Sequence, residues 1–389
     1  MEFLEACQFL FQQPTHKHGL GRMERFCKTN GLVWPKNSIH IAGTNGKGST
    51  AALLENSFRT AGYKTGLFTS PHLISPCERI QIDRNNIDEG RFAALTTRLK
   101  SLPGADSLSF FELLTAMAFL VFEEERPDIC IFETGMGGRL DATNVIDPLL
   151  TIITSIGLDH TEHLGDTVEA IAREKAGILK PGVPCILGDL PREADRVIAT
   201  IAAERGVPLF PIDTAIRPAT SLKGCYQWKN ASMAVLAAQC LKKLFPKLAN
   251  TIDLALQTTY WPARWDVRSV ASNTVILDVT HNEEGLQYLL KDLRTFNREH
   301  SKPHLLFSCK GDKTFFIPAL APYVASMTFT HILRPGGCPT ATMADVARNC
   351  FDGAIAVTDD VVTPIQTAAN ATFLVTGSCF LIERVAAIF

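Results

Sequence analysis

Short apolar segments rich in β-branched residues alternate along the chain with longer amphipathic segments. This alternation predicts a parallel β-sheet flanked by helices, the α/β class. The predicted strands of the first half are "SIHIAG", "YKTGLFTS", "DICIFETG" and "LLTIITSIG". The amphipathic pattern predicts helices over residues 46–61, 109–125 and 167–180. Pro181 and Gly182 end the last of these helices.

The alternation resumes after a helix-rich stretch over residues 228–259 and a charged, aromatic, proline-broken segment, "YWPARWDVRS" (260–269). Five further strands are predicted, over residues 273–280, 303–309, 327–333, 353–359 and 372–378. This second α/β unit has roughly 120 residues, within the usual range for a domain. We therefore predict two domains, residues 1–268 and 269–389, with the boundary near Arg268.

Composition places the chain among globular proteins and argues against two kinds of partner. Of the 389 residues, 46% are hydrophobic and 20% are charged, and the formal net charge is −2. There is no basic stripe typical of nucleic-acid binding, and no apolar stretch approaches the ~20 residues of a membrane helix. The 11 cysteines are scattered singly. Because no N-terminal signal pattern is visible either, we expect free thiols, a cytoplasmic location and no nucleic-acid or membrane partner.

A glycine-rich stretch between the first predicted strand and the next helix carries the first chemical signal. It reads "AGTNGKGST", and its glycines are spaced more closely than in the usual G-x-x-x-x-G-K-[ST] loop. Such a turn presents backbone N–H groups at a helix N-terminus, where anions bind. Lys47 adds a positive charge, and Ser49 or Thr50 can reach a phosphate or its magnesium ion. We therefore favour a phosphate-binding loop over an ordinary βα turn.

Polar residues at two further strand ends suggest a metal ion beside the phosphate. Glu133 ends "DICIFE", a position suited to holding magnesium, although a solvated carboxylate is the ordinary alternative. Asp159 and His160 follow the strand "TIITSIGL". His160 and His163 could form a zinc pair, but no third or fourth ligand is spaced to complete it. We expect Lys47, Glu133 and His160 to belong to one site at the edge of the sheet.

The ordered set of motifs resembles the folylpolyglutamate synthase/dihydrofolate synthase family, within the Mur-ligase superfamily. From about residue 20 to Ser378 the motifs read "AGTNGKGST", "TSPHL…ERIQI", "ETGMGGRLDATN", "GLDHTEHLG", "REKAGI", "WPARWD" and "DVTHN". The resemblance implies an ATP-dependent amide ligase that attaches glutamate to a pteroate or folate carboxylate. It also implies a central P-loop ATPase domain with a mostly parallel sheet, a smaller C-terminal Rossmann-like α/β domain, and an active site in the cleft between them.

The resemblance further implies which residues contact nucleotide and metal. The ATP contacts it implies are Asn45, Gly46, Lys47, Gly48, Ser49, Asn230, Arg264 and Asp278. It makes Ser70 and Glu133 magnesium ligands, with His160 holding a second ion. Lys175 falls where the family carries a carbamylated lysine, whose carboxylate supports magnesium. From the sequence alone, Lys175 would be a solvent-facing helix lysine.

Substrate contacts also follow from the resemblance. Pterin contacts are implied for Ser109, Phe110, Phe111, Glu112, Leu140, Asp141 and Ala142. His281 and Ser378 are expected to contact the incoming glutamate, with helix capping as the alternative for "THN". We expect Lys47, Lys175 and His281 to take part in catalysis. The expected small-molecule partners are dihydropteroate or folate, L-glutamate and ATP with Mg²⁺, and the expected oligomeric state is a monomer.

Three departures from the family pattern lie in the second half of the chain. Ala263 stands where the family usually has glycine, and we expect it to tighten the linker without changing the reaction. Thr280 replaces a more usual small residue. The stretch "CKGDKT" (309–314) matches the family only in part, so Asp312 and Lys313 receive no role.

The implied mechanism transfers the γ-phosphoryl group of ATP to the substrate carboxylate, and the glutamate amine then attacks the acyl phosphate. Closure about residues 260–269 would keep water from this intermediate. Because "SFFE" and "LDA" suggest a dihydropteroate pocket, we expect a bifunctional enzyme. One alternative is a muropeptide ligase, but that branch carries an extra N-terminal domain and the loop here begins at Gly43. Another is a P-loop kinase or NTPase, which leaves "REKAGI" and the second domain unexplained.

Overall fold

The structure is a computed structural model in which residues 1–14, 19–332 and 336–389 are described. The chain divides into two compact units. Unit 1 comprises Met1–Ser221 and Gln227–Thr259, and unit 2 comprises Leu222–Tyr226 and Tyr260–Phe389. No helix in the described part of the chain has both the length and the apolarity to span a membrane. All 11 cysteines are free thiols, as predicted.

Unit 1 is built around an eight-stranded sheet. The strands are β1 (Ser38–Ala42), β2 (Thr65–Phe68), β3 (Ile80–Ile82), β4 (Asn85–Asn86), β5 (Ile129–Glu133), β6 (Leu150–Ile153), β7 (Cys185–Leu187) and β8 (Leu209–Pro211). They lie in the order β4-β3-β2-β5-β1-β6-β7-β8. Only β3 runs antiparallel to its neighbours, β2 and β4. The mostly parallel sheet is confirmed, and β3, β4, β7 and β8 are additions to the predicted strands.

The helices of unit 1 flank this sheet in sequence. They are α1 (Phe3–Phe11), α2 (Gly21–Asn30), α3 (Lys47–Thr60), α4 (Glu89–Lys100), α5 (Phe110–Glu125), α6 (Thr161–Leu164), α7 (Val168–Lys175), α8 (Arg192–Arg205), α9 (Gln227–Leu241) and α10 (Ile252–Thr258). The three predicted helices correspond to α3, α5 and α7. The last is shorter than predicted, because after Lys175 the chain tightens into a 3₁₀ turn, Ala176–Ile178.

The central strands of unit 1 are buried along their whole length. Every residue of β1, β5 and β6 is buried, as expected for parallel strands covered on both faces. On α5, Phe119 and Phe122 pack edge-on against Phe132 of β5, with ring centroids 5.8 and 5.5 Å apart. This packing fixes the end of β5, where the next residue is Glu133.

Unit 2 has a six-stranded sheet. Its strands are β9 (Asp266–Val270), β10 (Asn273–Asp278), β11 (His304–Phe307), β12 (Ser326–Phe329), β13 (Ala354–Val357) and β14 (Thr372–Thr376). The order is β13-β12-β11-β14-β10-β9, and only β9 is antiparallel to its neighbour. The helices are α11 (Glu283–Glu299), α12 (Phe316–Leu320), α13 (Thr340–Arg348), α14 (Thr363–Thr367) and α15 (Cys379–Ala386).

All five strands predicted for the second half occur in unit 2. The strand predicted over residues 327–333 ends at Phe329, and Leu333 lies outside the described residues. The boundary predicted near Arg268 falls inside β9, which pairs with β10 in the sheet of unit 2. A hairpin cannot be divided between two sheets, so the structural boundary lies earlier, at Tyr260. The functional assignment of the two predicted domains stays a prediction.

Candidate functional site

The glycine-rich loop lies at the carboxyl end of β1, in the middle of the sheet. β1 ends at Ala42 and α3 begins at Lys47. Gly46 has a φ of +86°, the left-handed region that favours glycine. A Cβ atom on Gly43 would lie 1.9 Å from Thr154 Oγ1. The loop therefore needs its glycines for one backbone conformation and one close approach.

The segment that follows β6 holds this loop in place. The Thr44 N–H donates to Ser155 O at 2.9 Å, and the Asn45 N–H donates to Ser155 Oγ at 3.0 Å. Thr154 Oγ1 donates to Asn45 O at 2.6 Å. These three bonds fix the turn before any ligand arrives.

The first turn of α3 supplies backbone donors for an anion. The first intrahelical bond runs from the Thr50 N–H to Gly46 O, at 2.9 Å. The amides of Lys47, Gly48 and Ser49 therefore precede any acceptor within the helix. Amides in this position, together with the helix dipole, favour an anion, and the binding of ATP phosphates by these residues stays a prediction.

Two lysines converge on one carbonyl oxygen of the loop. Lys47 Nζ donates to Gly43 O at 2.9 Å and to Thr44 O at 3.1 Å. Lys175 Nζ, at the end of α7, donates to the same Gly43 O at 2.8 Å. The interpretation of Lys175 as a solvent-facing lysine is wrong, because the residue is only 3% exposed. A 3.6-residue period could not reveal this, since the burial depends on which strand end α7 approaches.

Side chains of α9 support the same loop. Thr50 Oγ1 donates to Asn230 Oδ1 at 3.3 Å, and Asn230 Nδ2 donates to Gln227 Oε1 at 2.8 Å. Gln227 Nε2 in turn donates to Ser49 Oγ at 3.4 Å. Asn230 is thus tied to the first turn of α3, and its contact with nucleotide stays a prediction. Gln227 was not predicted, although its i,i+3 spacing from Asn230 on a helix is a usable signal.

Glu133 and Ser70 meet at the same edge of the sheet. Parallel pairing sets Ile41 beside Glu133 and Phe68 beside Phe132. The Ser70 N–H donates to Glu133 Oε2 at 3.2 Å. Glu133 is 3% exposed, so the solvated-carboxylate alternative is wrong. The register between strands brings these two predicted metal ligands together, and this register cannot be derived from the sequence.

The donor set at this edge fits a magnesium ion better than a zinc ion. Carboxylate and hydroxyl oxygens suit magnesium, which keeps several waters and phosphate oxygens as further ligands. Within residues 1–14, 19–332 and 336–389, no three His, Cys, Asp or Glu side chains cluster to hold a metal by themselves. His160 is exposed with a φ of +50°, and its N–H donates to Asp159 Oδ1 at 3.0 Å. Its metal role stays a prediction.

The predicted pterin stretch "SFFE" also forms a helix cap. The Ser109 N–H donates to Glu112 Oε2 at 2.7 Å, and the Glu112 N–H donates to Ser109 Oγ at 3.3 Å. This reciprocal pair is a capping box at the start of α5. Arg22 also pairs with Glu112, at 3.3 Å. The S-x-x-E spacing predicts this helix cap, which was missing from the sequence-based prediction for this stretch.

The two phenylalanines of this stretch have different surroundings. Phe110 packs against Phe11, with centroids 5.5 Å apart, and the Arg79 guanidinium lies 5.2 Å from its ring centroid. Phe111 is half-buried and lies against Gly135, where a Cβ atom would come within 2.7 Å of the ring. Aromatic faces of this kind suit a flat heteroaromatic ligand.

The second predicted pterin stretch, residues 140–142, is organised by the Asp141 carboxylate. Asp141 Oδ2 accepts from the Gly135 and Met136 N–H groups at 2.9 and 3.0 Å. Oδ1 accepts from the Thr143 N–H at 3.0 Å and from Thr143 Oγ1 at 2.6 Å. Burial raises the pKa of Asp141, and these four hydrogen bonds oppose the rise. The Asp141 carboxylate therefore ties together the loop over residues 135–143.

The predicted nucleotide contacts of unit 2 surround the end of β10. Asp278 is buried and accepts from the Trp265 N–H at 2.8 Å and the Thr280 N–H at 2.9 Å. Arg264 Nη1 donates to Ala263 O at 3.0 Å. Ala263 has a φ of +57°, which costs roughly 1 kcal/mol for a residue with a Cβ. The glycine usual in the family would avoid this cost.

Of the predicted glutamate contacts, His281 precedes a helix cap and Ser378 is itself one. His281 Nδ1 is 2.8 Å from Val279 O, and Lys313 Nζ donates to His281 O at 2.6 Å. Asn282 caps α11 by accepting from the amide three residues on, at 2.9 Å. Ser378 caps α15 by accepting from the amide two residues on, at 3.2 Å. The capping alternative therefore applies to Asn282, and the glutamate roles of His281 and Ser378 stay predictions.

Comparison with known proteins identifies the family of the chain. Residues 41–186 match the model of the Mur ligase middle domain. The chain is 34% identical to the dihydrofolate synthase/folylpolyglutamate synthase of Bacillus subtilis, covering 95% of this chain and 94% of that protein. It is 37% identical to a probable dihydrofolate synthetase of Schizosaccharomyces pombe, over 73% and 74% of the two chains.

Solved structures resemble the whole chain. A structure of E. coli FolC in complex with DHPP and ADP has a TM-score of 0.86 and 26% identity, covering 100% of this chain and 97% of that one. A bifunctional folylpolyglutamate synthase/dihydrofolate synthase from Yersinia pestis, complexed with AMPPNP and a Mn ion, has a TM-score of 0.85 and 27% identity, with coverages of 100% and 98%. The fold predicted from the sequence is confirmed.

The close approach at Gly43 gives a prediction for nucleotide affinity. The Gly43→Ala variant must displace Thr154 Oγ1 and with it the bond to Asn45 O, so we expect the Kd for ATP to rise by roughly ten-fold or more. Isothermal titration calorimetry with ATP and Mg²⁺ measures it. Adding Thr154→Ala removes the clashing oxygen and should recover part of the affinity. Gly21→Ala, where the nearest atom to an added Cβ is the flexible Arg25 guanidinium at 3.3 Å, is the control. Wild-type affinity in Gly43→Ala would contradict this account of the loop.

Proposed function

Because the chain belongs to the folylpolyglutamate synthase/dihydrofolate synthase family of ATP-dependent ligases, we propose that it joins L-glutamate to both dihydropteroate and reduced folates. The observation that carries the proposal is the arrangement at one edge of the unit 1 sheet. There the glycine-rich loop follows β1, and the buried carboxylate of Glu133 ends the adjacent strand β5. The buried amine of Lys175 donates to Gly43 O of the loop. Such an edge is where open α/β sheets bind ligands.

The loop binds the phosphates of ATP in this proposal. The amides of Lys47, Gly48 and Ser49 point to an anion at the N-terminus of α3, and Lys47 adds a charge. In the present geometry Lys47 Nζ bonds to two carbonyl oxygens of the loop. When Lys47 Nζ moves from these oxygens to the γ-phosphate, it exchanges neutral acceptors for an anionic one, and the hydrogen bond that it donates becomes stronger. Asn45 and Asn230 complete the proposed nucleotide contacts in unit 1.

Glu133 and Ser70 are the proposed magnesium ligands. Magnesium, when bound, would neutralise the charge that develops on the transferring phosphoryl group. The Ser70 N–H fixes one carboxylate oxygen of Glu133, so the side chain is oriented before binding. His160 is proposed to hold a second ion. Burial of Glu133 lowers the local dielectric and makes its charge more effective than on the surface.

The reaction proceeds by phosphorylation of the substrate carboxylate. The terminal P–O bond of ATP breaks and a bond forms from phosphorus to a carboxylate oxygen, which gives ADP and an acyl phosphate. The glutamate amine attacks the acyl carbon, phosphate leaves, and the amine loses a proton to complete the amide. Lys47 lowers the cost of the charge that accumulates in the first step. Arg264, Asp278, His281 and Ser378 are the proposed nucleotide and glutamate contacts of unit 2.

Lys175 is proposed to act as a carbamate. In the unmodified state its amine and that of Lys47 both lie on Gly43 O, so two like charges share a buried position. The Lys175 ammonium first loses a proton, and the neutral amine then forms a bond to carbon dioxide and loses a second proton, which leaves a carbamate anion in place of the cation. That anion would pair with Lys47 and support magnesium, which removes the repulsion.

Residues 109–112 and 140–142 are proposed to hold the pterin. Phe111 offers an aromatic face beside the loop that Asp141 organises. Similarity over nearly the whole chain to a dihydrofolate synthase/folylpolyglutamate synthase supports folates over the muropeptide alternative. We also propose a cytoplasmic monomer, since its 11 free thiols suit a reducing compartment.

Product analysis tests the proposed function. The purified protein is given ATP, Mg²⁺ and glutamate with dihydropteroate or tetrahydrofolate, offered separately, and products are identified by mass. We expect at least one glutamate to be added to each acceptor, with one ADP released per amide. A muramyl nucleotide is the control acceptor and should give no product. ADP release without any amide would indicate an NTPase, and ligation to the muramyl nucleotide alone would indicate the muropeptide branch.

Substitution of Lys175 tests the carbamate. Lys175→Arg keeps the positive charge but cannot form the carbamate, so we expect ligation to fall by roughly 10- to 100-fold, the usual effect of losing one group that supports a metal site. Wild-type protein in ¹³C-bicarbonate should show a carbamate carbon signal by NMR that Lys175→Arg lacks. Lys180→Arg, a nearby partly buried lysine, is the control and should keep both the signal and the activity. Wild-type ligation by Lys175→Arg would exclude the carbamate.

A further inference from the structure

The strand that carries the glycine-rich loop contains one buried histidine. His40 lies on β1, three residues before Gly43, and is 0% exposed. Its ring Nε2 is 2.8 Å from Thr143 Oγ1. The proposed chemistry does not use His40. The other chemistry-bearing groups of this edge lie at or beyond the strand ends, whereas His40 lies in the middle of β1.

The direction of the hydrogen bonds in this contact is determined by proton count. Thr143 Oγ1 donates to Asp141 Oδ1 at 2.6 Å, and a hydroxyl has only one proton. His40 Nε2 therefore carries a proton and donates it to Thr143. Burial, together with the nearby charge of Lys180, lowers the pKa of His40 to about 3. The ring is thus neutral, with a single donor, across the pH range in which enzymes of this kind are assayed.

The chain of bonds continues to the proposed pterin-binding residues. Asp141 accepts from the Gly135 and Met136 amides, and Gly135 lies against the ring of Phe111. A change in the position of Asp141 therefore moves the backbone on which Phe111 rests. The path from His40 to Phe111 consists of hydrogen bonds and one van der Waals contact, all within unit 1.

We propose that His40 is a positioning residue for the pterin substrate, acting through Thr143 and Asp141 on the backbone at Gly135 and Met136. This inference rests on the proposed function, because it assumes that the pterin contacts Phe111. His40 Nδ1 is buried and has no hydrogen-bond partner among the described residues. An unpartnered buried nitrogen destabilises the fold, whereas Ala42, on the same face of the strand as His40, is apolar and fully buried. The hydrogen bond that His40 Nε2 donates to Thr143 Oγ1 explains why a histidine occupies this position despite that cost.

A double-mutant cycle tests the proposal. His40→Leu removes the donor, and Thr143→Val removes the hydroxyl while keeping its shape. We expect each to raise the KM for dihydropteroate about ten-fold, the effect of one hydrogen bond to a charged network, with the KM for ATP unchanged. Because both act on the same carboxylate, the double variant should be no worse than the more affected single variant. Additive effects, or equal increases in both KM values, would overturn the proposal.

Conservative variants separate positioning from general destabilisation. His40→Gln places an amide N–H where Nε2 lies, and Thr143→Ser keeps the hydroxyl, so both should retain a KM for dihydropteroate within about two-fold of wild type, a difference well below that of one lost hydrogen bond. If His40→Gln is as impaired as His40→Leu while both remain folded by thermal unfolding, the donor is not what matters and the proposal fails.

Hydrogen exchange provides a readout that does not depend on catalysis. In His40→Leu, the amides of Gly135 and Met136 should exchange about ten-fold faster than in wild type, whereas peptides covering residues 43–50 should be unchanged. Unchanged exchange at Gly135 and Met136 would overturn the relay even in an active enzyme. Wild-type protein that fails to ligate, with the exchange pattern as expected, would instead overturn the proposed function and leave the relay established.

Discussion

The parallel register of β1 with β5 and β6 is the constraint on which the site depends. It pairs Ile41 with Glu133 and Ala42 with Ile153, so three chain segments far apart in sequence leave the sheet at one edge. The glycine-rich loop, the carboxylate and the Thr154–Ser155 support then meet without any further adjustment. A shift of one residue in the β1–β5 pairing would turn Glu133 to the other face of the sheet, and a shift in the β1–β6 pairing would separate the loop from Thr154 and Ser155.

Burial gives this edge its chemical character. Lys175 and Glu133 are each 3% exposed, and charged groups at that depth are costly unless they are paired or hydrogen-bonded. The loop carbonyl of Gly43 and the Ser70 amide meet part of that cost in the present geometry. A dianionic phosphate with its metal would meet more of it. We infer that the edge is organised around an anionic ligand and a cation, which agrees with the nucleotide-bound relatives.

The sequence predicts a large part of this arrangement. Apolar runs with period-3.6 segments between them identify most strands and the main helices, and the motif at Gly43–Ser49 identifies the loop. The sequence alone does not predict that Lys175 is buried or that the Asp141 carboxylate accepts four hydrogen bonds, because both depend on how segments pack in the fold. The boundary error at Arg268 has the same origin, since β9 belongs to unit 2 only through its pairing with β10. The capping box of Ser109 and Glu112 was readable and was missed.

The central claim is that Glu133 binds the metal ion that accompanies ATP. Glu133→Gln keeps the size of the side chain and its acceptor for the Ser70 amide but removes the charge. Calorimetric titration of ATP in the presence and absence of Mg²⁺ measures the dependence of affinity on the metal. The account predicts that magnesium strengthens ATP binding to the wild type and has little effect on Glu133→Gln, which also fails to ligate. Equal enhancement by magnesium in both proteins, with ligation retained, would contradict it.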